Sequence, residues 1–189
     1  EDQGDAFGDL GTLLILIVIL VYIVMATQFE SLKFPFIIMF TIPFAFTGVF
    51  LALWMTSTPL SLIALIGAIM LVGIVTKNGI VMVDYMNLLI ERGSGVFDAV
   101  IAGGKSRLRP VLMTSFTTIL GMLPLAIGTG AGSETWQPMG IAVIGGLTFS
   151  TILTLFIVPV LYSILVNRSQ RKEREKLARL SAEHQASKH

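Results

Sequence analysis

Residues 60–85 read LSLIALIGAIMLVGIVTKNGIVMVDY. The run exceeds the roughly 20 apolar residues that an α-helix needs to cross about 30 Å of hydrocarbon, and Lys77 stands inside it. An ammonium at the centre of a membrane helix costs roughly 2.5–3.5 kcal/mol on insertion scales, so such a lysine pairs with a carboxylate, faces water, or snorkels toward the headgroups. No acid in the chain is placed to pair with it directly. Asp84 is seven positions further on, about 10 Å along a straight helix, and Glu30, Glu91, Asp98 and Glu134 fall at span ends or in loops. Lys77 therefore reads as an ion- or proton-handling residue whose partner lies outside this sequence, with snorkelling as the alternative. Asp84 reads either as a solvated interfacial charge or as a supporting member of the same helical face.

Composition sets the class. With 54% hydrophobic and 13% charged residues and a mean hydropathy of +0.83, the chain cannot bury its apolar surface within one soluble globule. It reads as an all-α integral membrane protein. The absence of cysteine excludes disulfides and thiolate metal sites. The sequence begins at Glu1, with no basic region before the first apolar run, so it reads as a segment of a longer protein.

Five spans are expected, at residues 10–29, 34–55, 60–90, 111–128 and 139–166, preceded by a leader at 1–9 and followed by a charged tail at 167–189. Pro43, Pro124 and Pro159 fall within spans, where kinks are expected. The leader carries Glu1, Asp2, Asp5 and Asp9 without a base. Arg92, Lys105, Arg107 and Arg109 fall in the third connection, and Arg168, Arg171, Lys172, Arg174, Lys176 and Arg179 in the tail. With the leader outside, every basic connection lands in the cytoplasm, which gives an N-out, C-in topology. In the connection 93–109, Val96, Phe97, Val100 and Ile101 recur at helical spacing before the basic cluster. A short interfacial cytoplasmic helix fits that pattern, and a solvated loop is the alternative.

The fourth span carries Thr114, Ser115, Thr117 and Thr118 into its apolar part. Membrane hydroxyls ordinarily bond back to the preceding turn or join helices, but four within five residues can also relay protons between a carboxylate and water. No nucleophile stands beside a base, no metal-ligand cluster is visible, and His184 and His189 are both in the tail, so the chain does not read as an enzyme. Nothing in it suggests a nucleic-acid partner. Its partner by composition is the lipid bilayer.

Five stretches carry a resemblance: residues 22–49 (YIVMATQFESLKFPFIIMFTIPFAFTGV), 70–87 (MLVGIVTKNGIVMVDYMN), 104–115 (GKSRLRPVLMTS), 121–134 (GMLPLAIGTGAGSE) and 140–162 (GIAVIGGLTFSTILTLFIVPVLY). In that order and spacing the chain resembles the last five membrane helices of resistance-nodulation-cell-division (RND) transporters, specifically the hydrophobe/amphiphile efflux pumps of the bacterial inner membrane. The resemblance implies that Lys77, in VTKNG, is the proton-relay lysine, Thr114 the relay threonine, and Arg107 an arginine on the cytoplasmic side of the proton path, with Asn78 and Asp84 in supporting positions. It further implies relay aspartates in the remainder of the transporter, a homotrimer, a periplasmic adaptor (membrane fusion) protein and an outer-membrane channel. Protons would be the coupling ion, with no cofactor and no metal. A relative that moves lipids, metal ions or protein-translocation energy, or a non-transporting structural membrane segment, is the alternative.

Overall fold

The computed structural model describes the backbone of residues 2–128, 130 and 132–186 and the side chains of residues 4–128, 130 and 132–168. Glu1, the last three residues and the tail's side chains from residue 169 on, both histidines included, lie outside the described residues. All regular structure among them is helical: α1 (Asp2–Phe29), α2 (Lys33–Met39), α3 (Thr41–Met55), α4 (Leu62–Glu91), α5 (Val96–Ile127) and α6 (Ser133–Ala186). Five stretches are long and apolar enough to cross a bilayer, namely Gly4–Phe29, Lys33–Met55, Leu62–Glu91, Val96–Ile127 and Ser133–Arg168. The protein is a multi-pass membrane protein.

The second span is the one that breaks. Pro43 has no N–H to give the Met39 carbonyl and its ring crowds that carbonyl, so α2 ends at Met39 and α3 restarts at Thr41. The buried Thr41 hydroxyl donates to the Ile38 carbonyl at 2.6 Å, which satisfies an acceptor at the break. At Pro124 and Pro159, by contrast, α5 and α6 run on without interruption.

Residues 96–110 are helical but do not form a separate element. They run through Pro110 into the fourth span as one 32-residue helix. Gly95 caps its start with Asp98 in the first turn, where a carboxylate favours the helix dipole, and Gly128 ends it at φ 72°, a left-handed position that suits glycine. The leader is likewise taken into α1 from Asp2 onward. In the tail, α6 continues to Ala186, through a Lys-, Glu-, Arg- and Leu-rich sequence of strong helix formers.

Helix α6 is the hub, with α3, α4 and α5 packed along it, whereas α1 touches α2 and α4. Lipid tails offer no hydrophobic gain for helix association, so close backbone approach through small residues has to supply much of it. The α3–α6 crossing does this: a Cβ on Gly145 would overlap Ala52 and come within 2.9 Å of the Gly48 carbonyl, and one on Gly146 would overlap Leu71 and come within 2.8 Å of Val49. A second core gathers Met25, Ile38, Met86 and Tyr162 toward the opposite end of the bundle. There the Tyr162 ring stacks on Phe34 with centroids 5.6 Å apart, and its hydroxyl donates to Asn87 Oδ1.

Candidate proton-relay site

Along α4, Ile66, Met70, Gly73, Lys77, Asp84 and Leu88 are exposed, while Gly67, Leu71, Val75, Asn78 and Met82 are buried in the bundle. The exposed set recurs at intervals of three, four and seven residues, so it forms one face of the helix. Lys77 and Asp84 share that uncovered face, and neither has a hydrogen bond or ion pair to another described residue. Lys77 lines a groove of about 360 Å³ between α1 and α4, whose walls include Ile17, Leu20, Val24, Gly73 and Thr76. Because Gly73 adds no side chain one turn above the lysine, the groove stays open there. Asn78, next in sequence, turns instead into the interior.

Helix α5 is the antiparallel neighbour of α4, and two contacts set their register: Met86 lies against Gly103, and the Arg107 guanidinium carbon sits 4.7 Å from the centre of the Tyr85 ring. Lys77 precedes Tyr85 by eight residues and Thr114 follows Arg107 by seven, which is about 12 Å and 10 Å along the two helices. Lys77 and Thr114 therefore lie at nearly one depth on adjacent helices. Arg107 and Asp84 lie together at a second depth, nearer the α4–α5 turn.

The hydroxyls divide by role. Thr114 Oγ1 donates to the Pro110 carbonyl at 3.0 Å, Thr117 to Met113 at 2.8 Å and Thr118 to Thr114 at 2.9 Å, all back-bonds within α5. Ser115 differs: its hydroxyl meets Thr151 Oγ1 of α6 at 2.9 Å in the buried interior. Helices α4 and α6 run parallel, and the contacts Leu71–Gly146 and Asn87–Tyr162 share an offset of 75 residues (146 − 71 and 162 − 87). That offset sets Thr151 level with Thr76 and Thr154 level with Gly79. A polar layer thus crosses α4, α5 and α6 at the depth of Lys77. Two of its hydroxyls, Thr76 Oγ1 and Thr154 Oγ1, are buried without a hydrogen-bond partner among the described residues.

Of the residues singled out in the sequence, Lys77 and Thr114 come level, Arg107 and Asp84 come level with each other about 10 Å away, and Asn78 faces inward. Tyr85, Thr151 and Thr154 were not singled out. The two threonines stand three apart in an apolar span and were open to the same hydroxyl reading as α5. Nothing in the spacing of Tyr85 points to Arg107.

A five-span helical bundle with a lysine, an arginine and a hydroxyl layer at bilayer depth belongs among multi-pass membrane proteins with polar groups held inside their spans. Residues 1–166 match the AcrB/AcrD/AcrF family. The chain is 43% identical over 155 residues to "Multidrug resistance protein MdtC" of Erwinia tasmaniensis, covering 82% of this chain and 15% of that protein. It is 41% identical over 155 residues to "Cobalt-zinc-cadmium resistance protein CzcA" of Cupriavidus metallidurans, with the same shares, 82% and 15%. It is 38% identical over 172 residues to "Swarming motility protein SwrC" of Bacillus subtilis, covering 90% of this chain and 16% of that protein. Among solved structures, the crystal structure of a heavy metal efflux pump superposes with a TM-score of 0.81 at 32% identity, over 88% of this chain and 17% of that one. The chain belongs to the AcrB/AcrD/AcrF family and corresponds to a membrane segment of an RND transporter. It spans 15% of the length of the MdtC and CzcA relatives it matches.

Proposed function

We propose that this segment forms part of the proton-conducting membrane domain of an exporter in the bacterial inner membrane, with Lys77, Thr114 and Arg107 in the proton relay and Asn78 and Asp84 in support. The observation that carries this reading is Lys77, a cation with no partner among the described residues, on the uncovered face of α4 and level with a threonine hydroxyl on the next helix. A cation kept at that depth calls for a carboxylate on an element packed against this face, and the relay aspartates in the remainder of the transporter fill that role. Protonation of those aspartates neutralises the charge that holds Lys77. Its ammonium then moves toward Thr114, and the helices repack between two states. Protons are the coupling ion, no cofactor takes part, and no bond of the exported compound is changed.

In the complete assembly, this membrane domain drives a homotrimer that works with a periplasmic adaptor protein and an outer-membrane channel. The N-out, C-in orientation places the basic connections in the cytoplasm. Amphiphilic compounds are the favoured cargo, on the contexts VTKNG and LRPVLMT and the likeness to a multidrug resistance protein. Divalent metal export is the second reading, favoured by the likeness to a cobalt-zinc-cadmium resistance protein.

The test is Lys77→Ala in the complete transporter at matched membrane abundance, with two readouts: efflux of an amphiphilic dye driven by the proton gradient, and growth tolerance to cobalt and zinc. Loss of one or both with intact assembly supports the relay and names the cargo class. Retention of both sinks the relay and leaves Lys77 as a snorkelling residue.

A further inference from the structure

Arg107 is held by a ring and by nothing else that the described residues provide. Its guanidinium carbon lies 4.7 Å from the centre of Tyr85, and its Nε is buried without a hydrogen-bond partner. An arginine that is half-buried at a helix–helix seam normally engages its N–H fork with a carboxylate or carbonyls. Here the ring face substitutes for that acceptor. Stacking fixes the plane of the guanidinium and leaves its N–H edge free for another group. The seam itself is tight, because Met86, the residue after Tyr85, packs onto Gly103, four residues before Arg107, where any side chain would collide with it.

We infer that Tyr85 is a positioning residue for Arg107. Its ring holds the guanidinium at the second depth of the relay, level with Asp84 and about 10 Å from the Lys77–Thr114 level, with the N–H edge presented to water or a transient carboxylate on the path. This assignment rests on the proposed relay role of Arg107. It adds a residue with no titratable part in the path and a reason why an aromatic ring stands next to the exposed Asp84. Because Tyr85 acts through the negative face of its ring, the hydroxyl is dispensable and the π-density is not.

The experiment replaces Tyr85 in the complete transporter with phenylalanine and then with phenylalanines carrying one, two and three ring fluorines, which preserve shape while draining the ring face. Proton-gradient-driven efflux per transporter is read at matched abundance, along with the same measurement for Arg107→Ala. Tyr85→Phe is expected to work as the parent does. Successive fluorination is expected to lower the rate in steps to a total of roughly 2- to 30-fold, the span corresponding to a cation–π contact. A 19F resonance from the singly fluorinated ring at this position is expected to shift on Arg107→Ala, a readout that needs no transport. A flat fluorine series, or a resonance indifferent to Arg107→Ala, overturns the positioning role while leaving the relay intact. Unimpaired efflux by Arg107→Ala instead overturns the relay assignment of Arg107 itself.

Discussion

Ser115 on α5 and Thr151 on α6 share a hydrogen bond of 2.9 Å in the buried interior, at the depth of Lys77. It is a side-chain bond between the two helices, in a layer where two other buried hydroxyls have no partner among the described residues. Its position makes it both a strut of the α5–α6 seam and a neighbour of the Lys77–Thr114 level.

Removing either partner alone leaves the other hydroxyl buried and unpaired, so the singles should cost more than the bond is worth. Ser115→Ala and Thr151→Val are each expected to destabilise the bundle by about 1 kcal/mol. The double variant should lose much less than their sum. Reversible unfolding of the four proteins in bicelles gives the cycle, and additive losses would show that the hydroxyls do not act as a pair.

The glycines of α6 make a contrast within one bundle. At Gly146 a Cβ would overlap Leu71 and press on Val49, and at Gly145 it would meet Ala52 and the Gly48 carbonyl. Gly145→Ala and Gly146→Ala are therefore expected to destabilise by about 1–3 kcal/mol through overpacking. Gly121, in α5, has nothing within 4 Å of its Cβ position. Gly121→Ala should be neutral or raise stability by up to about 1 kcal/mol, since alanine is the better helix former. The same unfolding measurement ranks the three, and equal effects would remove the close α3–α6 approach as their cause.

How much of this was legible beforehand follows from which forces leave a local trace. Burial in lipid leaves a long one, so the apolar runs mark five membrane-length helices. The three prolines within spans carried the same expectation of a kink, but the helix is interrupted near Pro43, between Met39 and Thr41, and runs on through Pro124 and Pro159. Hydropathy stops at the headgroups while helix geometry does not, which is why α5 extends through Pro110 and α6 through the tail beyond the apolar runs. Lys77 was legible because an ammonium in hydrocarbon needs an explanation wherever it sits. Its level with Thr114, the ring beneath Arg107 and the Thr151 partner of Ser115 depend on the register between helices. That register is fixed by contacts such as Met86–Gly103 and Leu71–Gly146, which no single stretch of sequence contains.

At the other end of the bundle, Tyr162 is fully buried, stacks on Phe34 and donates to Asn87. Tyr162→Phe keeps the stack and strands only the Asn87 carbonyl, at an expected cost of about 1–2 kcal/mol. Tyr162→Ala also empties a ring-sized cavity and is expected to cost about 3–5 kcal/mol. Thermal unfolding followed by tryptophan fluorescence separates the two. A Tyr162→Phe variant as damaged as Tyr162→Ala would mean that the hydrogen bond, rather than the ring, holds this end together.

Lys77 gives the prediction with a change of sign. Among the described residues its ammonium has no partner, and it faces an apolar groove, so Lys77→Met removes a charge that costs up to about 2.5–3.5 kcal/mol at a helix centre. The five-helix chain should gain stability or stay unchanged. In the complete transporter, a relay carboxylate packed against the same face would lose its counter-charge, and breaking a buried pair from one side costs about 3–5 kcal/mol. The same substitution should therefore destabilise the complete protein and stop proton-driven efflux together. Paired unfolding measurements on the chain and on the complete transporter, with and without Lys77→Met, test this. A stability gain in both would mean that no carboxylate meets Lys77 in the assembled membrane domain, and the relay would have to run without it.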